Sequence, residues 1–377
     1  MKTNINRLKI FTVLGTRPEI IRLSETIKLV DKFFDQVLVH TGQNYDKNLN
    51  EVFFKDFDLR KPDHYLDATA KTAVSTIGNI LISIEKIIKK EAPDAFLILG
   101  DTNSALSSYV AKRHKIPIFH IEGGNRSFDQ RVPEEINRKI VDHLADIHIT
   151  YSTISRDYLV REGIPPETII KLGSPMKEVL NANMHNINSS QILKKIKIKK
   201  NDYILISIHR EENLDADNKL KEIIKSLDLI YETFKKQMVI SLHPRTREKI
   251  KNLKIKLNED FFTSKPFKFS DYIRLQMDSF LVLSDSGTIN EEASILNFKA
   301  INIRDSYERP ESAEEASTIL SSVNHLDILR ACNLAVLNER NSLKIVQDYN
   351  VDNFALKFCR IIQGHIGYVN RNVWKKY

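Results

Sequence analysis

The strongest constraint on the fold of this chain is an alternation that runs from end to end. Short β-branched or apolar runs are separated by longer amphipathic stretches, which is typical of β-α-β units and predicts parallel sheets. In the first half, strands are predicted at Lys9–Leu14, Gln36–His40, Ala95–Leu99, Ile116–Ile121 and Ile147–Ile149. In the second half, they are predicted at Tyr203–Ile208, Met238–Leu242, Ser279–Leu283 and Ala300–Ile303.

The chain is long enough for about two domains, since one domain takes roughly 150 residues. A helical pattern that runs into the basic segment Lys194–Lys200 separates the halves, so we predict domains at residues 1–176 and 177–350. A terminal helix within 351–377 could pack back on the first domain or cap the second. The other helices are predicted at Ser104–His114, Asn137–Leu144, Asn218–Phe234 and Asn290–Leu296.

Composition excludes several classes of protein. The 57 Lys and Arg residues exceed the 49 Asp and Glu residues by eight, and the lysines are scattered, so we expect no nucleic-acid partner. The two cysteines, Cys332 and Cys359, cannot form a disulfide framework, which favours a reducing, cytoplasmic location. No run of 18 apolar residues and no leader pattern is present, so we expect no stable membrane insertion.

Polar and glycine-containing motifs follow the carboxyl ends of the predicted strands. Open α/β sheets bind their ligands at that edge, and two such edges facing each other would form a central cleft. The first-half motifs are Gly15–Glu19, Thr41–Asn44, Gly100–Asn103, Glu122–Arg126 and Gly173–Pro175. The second-half motifs are His209–Asn213, His243–Thr246, Ser284–Glu292 and Arg304–Glu311.

Two of these motifs are suited to anions. Gly15-Thr-Arg-Pro18 and Ser286-Gly-Thr288 each place small residues before a predicted helix, whose first N–H groups favour a phosphate. A plain turn between strand and helix is equally compatible with the first motif. Neither a P-loop nor a G-x-G-x-x-G motif is present, and no Cys/His cluster has zinc spacing. Asp215-Ala-Asp217 fits a solvated helix start better than a metal site, so we expect no metal and no redox cofactor.

Several carboxylates would converge on one crevice in the first half. Crowding and desolvation can raise a carboxyl pKa enough for proton transfer. The second half contributes imidazoles and guanidiniums, which could neutralise a diphosphate leaving group. The carboxylates are Asp101, Glu122, Glu134 and Glu135, with Glu292 in the second half, and the cationic pairs are His209-Arg210 and His243-Pro-Arg245.

These motifs resemble the non-hydrolysing UDP-N-acetylglucosamine 2-epimerase family along essentially the whole chain. The resemblance is carried by Gly15–Glu19, Gly100–Asn103, Glu122–Arg126, Pro133–Arg138, His209–Asn213, Asp285–Gly287 with Glu291-Glu292, and Glu308–Glu311. Three further segments look most like the branch that makes UDP-N-acetyl-L-fucosamine from a 6-deoxy-L-talosamine sugar nucleotide. They are Asn125–Pro133, Gly173–Met176 and Asn370–Trp374.

The resemblance implies two Rossmann-like domains around a central cleft, of the glycosyltransferase-B type, with helices on both faces of each sheet. It also implies a homodimer, a UDP-sugar substrate and no cofactor. The reaction inverts C2 by eliminating UDP to give a 2-acetamidoglycal and then adding UDP back. By motif position, Asp101, Glu122 and Glu134 are the acid/base residues and His209 assists the leaving diphosphate. Residues implied to bind substrate or UDP are Arg17, Arg22, Arg210, His243, Ser286, Gly287, Glu292 and Arg309.

Two departures from the family pattern concern the loop after Glu122. Gly123 replaces the usual alanine, which we expect to loosen that loop, and the segment between Arg126 and Pro133 differs from that of glucosamine enzymes. The alternatives are an epimerase that interconverts UDP-N-acetylglucosamine and UDP-N-acetylmannosamine, a hydrolysing epimerase, a glycosyltransferase of the same fold, and a basic binding module. Clustered carboxylates argue against the transferase, which needs one base at most.

Overall fold

The computed structural model describes residues 7–43, 53–214, 217–305, 308–337 and 344–376. The chain divides into two compact units, Met1–Val179 with Val351–Tyr377, and Leu180–Asn350. Asn44 and Asp215 of the motifs above, and residues 306 and 307, lie outside the described residues. None of the described helices combines the length and apolar character needed to cross a membrane.

The first unit contains a seven-stranded parallel sheet with the order β3-β2-β1-β4-β5-β6-β7. The chain builds outward from β1 in one direction and then returns to build from β4 in the other. The point between β1 and β4 is therefore a topological switch point, where an open sheet leaves a crevice. The strands are β1 (Lys9–Leu14), β2 (Asp35–His40), β3 (His64–Tyr65), β4 (Ala95–Leu99), β5 (Ile118–Ile121), β6 (Ile147–Thr150) and β7 (Ile169–Lys171).

The second unit repeats this topology with six parallel strands in the order β10-β9-β8-β11-β12-β13. Its switch point lies between β8 and β11, which pair in parallel over Tyr203–Ser207 and Leu281–Ser284. The strands are β8 (Tyr203–Ser207), β9 (Gln237–Ser241), β10 (Phe262–Ser264), β11 (Leu281–Ser284), β12 (Ala300–Ile303) and β13 (Ile319–Ser321). The predicted α/β class with two Rossmann-like parallel sheets is confirmed.

Helices cover both faces of the second sheet, because successive side chains of a strand point to opposite faces. Ile204 and Ile206 of β8 pack with Leu227 and Ile328 on one face. Leu205 of β8 packs on the other face with a separate cluster that includes Leu275 and Ile289. A strand buried on both faces is apolar at most of its positions, which is why these strands appear as nearly continuous apolar runs in the sequence.

The C-terminal helix Phe354–Asn372 belongs to the first unit, where it packs against the helix Arg17–Phe33. Phe358 meets Phe119 of β5 edge to face, with ring centroids 6.4 Å apart. The backbone N–H of Ala355 donates to Glu178, at 2.8 Å. The division between the units falls inside the helix Met176–Ser189, three residues later than the predicted boundary.

The remaining helices connect the strands. In the first unit they are Arg17–Phe33, Ala73–Glu91, Ser108–Arg113 after a 3₁₀ turn Asn103–Ser107, Pro133–Leu144 and Thr153–Arg161, with a 3₁₀ turn at Pro166–Thr168. In the second unit they are Ile192–Lys195, Glu211–Leu214, Asp217–Phe234, Pro244–Asn252, Phe269–Asp278, Ile289–Leu296, Pro310–Glu314 and His325–Leu337, with a 3₁₀ turn at Gln347–Tyr349.

The structure corrects several predicted boundaries. The helix predicted from Asn137 begins at Pro133, because proline suits the first turn and the acidic residues there favour the positive end of the helix dipole. The strand predicted from Ser279 begins at Leu281, since Ser279 ends the preceding helix by donating to Gln276. The four strands missing from the prediction are β3, β7, β10 and β13, each two or three residues long.

Candidate active site

Three acidic loops of the first unit follow β1, β4 and β5 at one edge of the sheet. At Gly15 the loop after β1 lies against the residues that follow β2 and β4, since an added Cβ would lie 2.1 Å from Thr41 Oγ1 and 2.2 Å from Ser104 Oγ. Only glycine fits this approach. The next residues start the helix Arg17–Phe33 with Pro18 in its first turn, as predicted.

Glu19 joins the loops on either side of the switch point. Its carboxylate accepts from the Gly15 N–H at 3.0 Å and from the hydroxyls of Thr16 at 2.7 Å and Thr102 at 3.0 Å. Burial raises the pKa of Glu19 to about 7, although these hydrogen bonds act to lower it. Sequence reasoning quoted Glu19 within its motif but assigned it no role. Its role depends on Thr102, a partner 83 residues away along the chain, and no local sequence pattern indicates such a contact.

Glu122 is held by side chains of two different elements. The residue is 5% exposed, and its carboxylate pairs with Arg22 Nη1 and accepts from Asn125 Nδ2 at 2.9 Å. Its backbone has a φ of 72°, in the left-handed region that non-glycine residues rarely adopt. Strained backbone of this kind persists where the surroundings fix it, and it clusters at functional sites. Through its ion pair with Glu122, Arg22 contacts a predicted acid/base residue directly.

Asp101 and Glu134 are brought into the same neighbourhood by the helix Pro133–Leu144. Arg138 of this helix donates from Nε to Asp101 Oδ2 at 2.5 Å, and Asn137 donates to the Asp101 carbonyl at 2.9 Å. Glu134 is half-buried in the first turn of the helix. Its neighbour Glu135 is fully buried and accepts from the backbone of Ser127 at 2.9 Å, so Glu135 fixes the loop that follows Arg126.

Arg17 is half-buried and stands at the first position of its helix. Its guanidinium lies 4.4 Å from the ring centroid of Phe53. A guanidinium placed over an aromatic face keeps its charge and loses rotational freedom, which prepares it for an anion.

In the second unit, Asp285 organises the loop that follows β8. The buried carboxylate accepts from the backbone N–H groups of His209 at 3.0 Å and Arg210 at 2.9 Å, and from Asn213 Nδ2 at 3.1 Å. One of its oxygens also lies 3.2 Å from His209 Nδ1. This contact orients the imidazole ring of His209. Asp285 lies in a motif that the sequence analysis quoted, but its own part was missed.

The predicted cationic residues lie beside one another. The rings of His209 and His243 have centroids 6.2 Å apart, and His243 is exposed at the start of the helix Pro244–Asn252. Arg210 Nη2 lies 3.3 Å from Glu308 Oε2. An added Cβ on Gly287 would lie 3.4 Å from Arg210 Nη2, so the glycine turn and this cation are neighbours.

The other predicted binding residues also have defined partners. Ser286 Oγ lies 3.0 Å from Thr288 Oγ1, just before the helix Ile289–Leu296. Glu292 is 6% exposed and accepts from Gln276 Nε2 at 2.6 Å. Arg309 is buried and its Nε lies 3.2 Å from Glu291 Oε1. Within the described ranges, no group of three or more His, Cys, Asp or Glu side chains could hold a metal ion.

Comparison with known proteins gives this arrangement a family. The family model for UDP-N-acetylglucosamine 2-epimerase matches residues 28–363, which is most of the chain. The chain belongs to the UDP-N-acetylglucosamine 2-epimerase family. It is therefore a carbohydrate epimerase, which is a kind of isomerase. The residues described above at the two switch points are thus those of a member of this family.

Solved structures of the family resemble the chain over nearly its full length. UDP-N-acetylglucosamine 2-epimerase from Rickettsia bellii is 43% identical with a TM-score of 0.92, covering 98% of this chain and 100% of the other. The Methanocaldococcus jannaschii UDP-GlcNAc 2-epimerase, in complex with UDP-GlcNAc and UDP, is 33% identical with a TM-score of 0.89, covering 95% and 100%.

The family also includes a relative named for a different sugar. UDP-2,3-diacetamido-2,3-dideoxy-D-glucuronate 2-epimerase from Pseudomonas aeruginosa is 33% identical over 347 residues, covering 90% of this chain and 94% of its own. Membership of the family thus fixes the kind of reaction more firmly than the sugar.

Proposed function

We propose that the protein inverts C2 of a UDP-N-acetylhexosamine by eliminating UDP to a 2-acetamidoglycal and adding it back. The observation that carries this proposal is the grouping of Asp101, Glu122 and the Glu134-bearing helix at one sheet edge. Arg138 and Arg22 pair with the first two carboxylates. A single proton moved off and onto one carbon needs such a set, because one group removes it and another returns it on the opposite face.

The chemistry explains why cations must accompany the carboxylates. The C2 hydrogen is not next to a carbonyl and is barely acidic, so cleavage of the C1–O bond has to lead through an oxocarbenium-like state. Negative charge then develops on the departing diphosphate. We propose that His209, oriented by Asp285, and Arg210 stabilise that charge, as preorganised donors do best.

The second unit is proposed to hold UDP. Ser286, Gly287 and the start of the helix Ile289–Leu296 supply hydroxyl and N–H donors suited to phosphate. Glu292 is proposed to accept from the ribose diol, and His243 and Arg309 to line the same site. In the first unit, Arg17 is proposed to contact phosphate. Since Arg22 pairs with Glu122, we propose that it favours the ionised form of that carboxyl as well.

We propose UDP-N-acetyl-6-deoxy-L-talosamine as the substrate and UDP-N-acetyl-L-fucosamine as the product. Support comes from the three segments that resemble that branch, of which Asn125–Pro133 begins at the site, since Asn125 donates to Glu122. The C-terminal segment lies elsewhere, with Lys112 Nζ 5.2 Å from the ring centroid of Trp374. The second candidate is epimerisation of UDP-N-acetylglucosamine, the sugar nucleotide for which the relatives from Methanocaldococcus jannaschii and Rickettsia bellii are named.

Proton NMR in D₂O tests both candidates. The purified protein is incubated in parallel with UDP-N-acetylglucosamine and with UDP-N-acetyl-6-deoxy-L-talosamine. Deuterium entering C2 of the talosamine sugar alone, with a new epimer signal, supports the L-fucosamine branch. Exchange on the glucosamine substrate instead supports the second candidate. No exchange on either sugar contradicts the proposal and favours a glycosyltransferase.

A further inference from the structure

We propose that Asp142 is the positioning residue that holds the three acid/base carboxylates of the first unit in register. Asp101, Glu122 and Glu134 come from three different elements, after β4, after β5 and at the start of the helix Pro133–Leu144. A proton-transfer set fails when its members drift by about 1 Å, so something has to fix these elements to one another. The proposal rests on the acid/base assignment of the proposed function.

Asp142 is fully buried and faces the side chains of His120 and Arg126. Its Oδ1 lies 2.8 Å from His120 Nδ1, and its Oδ2 accepts from Arg126 Nη1 at 2.7 Å. Burial by itself would raise the pKa of Asp142, but the hydrogen bond and charge of His120, with the charge of Arg126, hold it well below its usual range. Arg126 is in turn paired with Glu162 at 2.6 Å.

The first link runs from Asp142 to the loop that carries Glu122. The Gly124 N–H lies 3.3 Å and 3.1 Å from the two Asp142 oxygens, so the carboxylate anchors the loop two residues beyond Glu122. An added Cβ on Gly123 would lie 3.2 Å from Asp142 Oδ1. Gly123 was expected to loosen this loop. That effect stays a prediction, and the structure adds that the missing side chain leaves room for the Asp142 carboxylate beside the loop.

The second link runs through His120 to the loop that carries Asp101. His120 Nε2 lies 2.8 Å from the carbonyl oxygen of Gly100, the residue before Asp101. Both ring nitrogens of His120 thus face oxygen atoms. The imidazole ring of His120 on β5 therefore bridges the Asp142 carboxylate on the helix and the backbone at the end of the neighbouring strand β4.

The third link is the helix itself. Asp142 and Glu134 stand eight residues apart on Pro133–Leu144, so their separation is set by the rigid rise of the helix, about 12 Å at 1.5 Å per residue. Asp142 is thus linked to all three elements that carry the acid/base carboxylates. Buried ion pairs contribute little net stability compared with apolar packing, so what this cluster supplies is position.

The test compares Asp142→Asn with Asp146→Asn. Asp146 is also buried, but it lies at the amino edge of the sheet, where it contacts Lys112 Nζ at 2.5 Å and the Ile118 N–H at 2.9 Å. Both variants should lose thermal stability. We expect Asp142→Asn to lower kcat for C2 exchange about 100-fold with UDP affinity unchanged, and Asp146→Asn to leave kcat within about twofold.

A second pair of variants keeps the proposal testable if Asp142→Asn does not fold. His120→Gln retains an amide donor near the Nε2 position and can keep the link to Gly100, whereas His120→Asn retains a donor near the Nδ1 position and cannot. His120→Gln breaks the link to Asp142 and His120→Asn breaks the link to Gly100, so each variant interrupts the bridge at one end. We expect each of them to lower kcat for C2 exchange more than tenfold. Wild-type kcat in both variants would overturn the proposal, as would a folded Asp142→Asn protein with wild-type kcat.

The failure of the proposed function has a different signature. In that case the wild-type protein shows no C2 exchange on either sugar. Crystal structures of the variants then still decide the positioning role, because a loop around Glu122 and a Gly100 carbonyl that remain unmoved without Asp142 would contradict it. Displacement of both loops, with the amino edge of the sheet unchanged, would support it.

Discussion

The two units differ in how one carboxylate spans the switch point of each sheet. In the first unit, Glu19 follows β1 and accepts from Thr102, which follows β4. In the second unit the direction is reversed, because Asp285 follows β11 and accepts from the backbone of His209 and Arg210, which follow β8. Equivalent strand orders thus carry different chemistry. The first edge gathers carboxylates with paired arginines, and the second gathers imidazoles and guanidiniums.

The comparison also shows that the strand order of a sheet does not determine the chemistry of its edge. A parallel sheet brings loops after neighbouring strands together whatever their sequence, and the residues on those loops decide what the edge can bind. We therefore expect substitutions at the first edge to change proton transfer, and those at the second to change the departure of UDP.

The largest effect should follow from changing the first edge. Glu122→Gln and Asp101→Asn should each fold and lower C2 exchange by about 10²–10⁴-fold, the usual contribution of a general acid or base. Exchange is measured by NMR in D₂O, and UDP affinity by calorimetry. Because most of the residues proposed to hold UDP lie in the second unit and neither carboxylate is among them, that affinity should stay within about threefold. Full activity in either variant would remove the acid/base assignment.

His209→Ala should slow the departure of UDP, which is the step assigned to the second edge. The loss of one preorganised electrostatic group typically costs about 2–4 kcal/mol in the transition state, which corresponds to roughly 30-fold to 1,000-fold in rate. Single-turnover release of UDP measures it. His185→Ala, an exposed histidine on the helix Met176–Ser189, is the matched control and should behave as wild type. Activity of His209→Ala within twofold of wild type would count against its role.

Glu19 should make the stability of the first unit depend on pH. Its pKa is raised from 4.5 to about 7 on folding, so the native state binds the proton more tightly than the unfolded chain does. The stabilising contribution is complete below pH 4.5 and is lost as the pH rises through 7, amounting to about 3 kcal/mol.

Glu19→Gln isolates this effect. Urea unfolding gives the unfolding free energy of wild type and of Glu19→Gln at pH 5 and pH 8. Between these two pH values, wild type should lose about 3 kcal/mol relative to Glu19→Gln. A difference that stays constant between the two pH values would show that Glu19 titrates near its ordinary pKa.

The smallest effects compare the glycines of the two edges. Gly15→Ala would place Cβ 2.1 Å from Thr41 Oγ1 and should lower the free energy of unfolding by about 1–3 kcal/mol. Gly287→Ala meets its nearest atoms at 3.4 Å, so its cost should stay below about 1 kcal/mol. Urea unfolding of both variants measures the difference. Equal costs would mean that the first edge relaxes around the added methyl group.

The fold class and the positions of most long strands could be predicted from the amino-acid sequence alone. Parallel strands covered on both faces are predominantly apolar, and such runs are visible without a structure, as in Ala95–Leu99. The candidate site residues at the switch points, such as Asp101 and His209, could also be identified from the sequence. They directly follow predicted strands, and the alternation of strands and helices gives the order of those strands along the chain.

The short strands and the partners of the site residues became visible only in the folded structure. β3 and β13 are too short to carry a periodic pattern and owe their pairing to neighbouring strands. Glu19, Asp142 and Asp285 were likewise hidden, because their partners lie up to 83 residues away for Glu19 and up to 76 for Asp285. Hydrogen bonding depends on distance in space, and only folding brings residues so far apart along the chain within reach of each other.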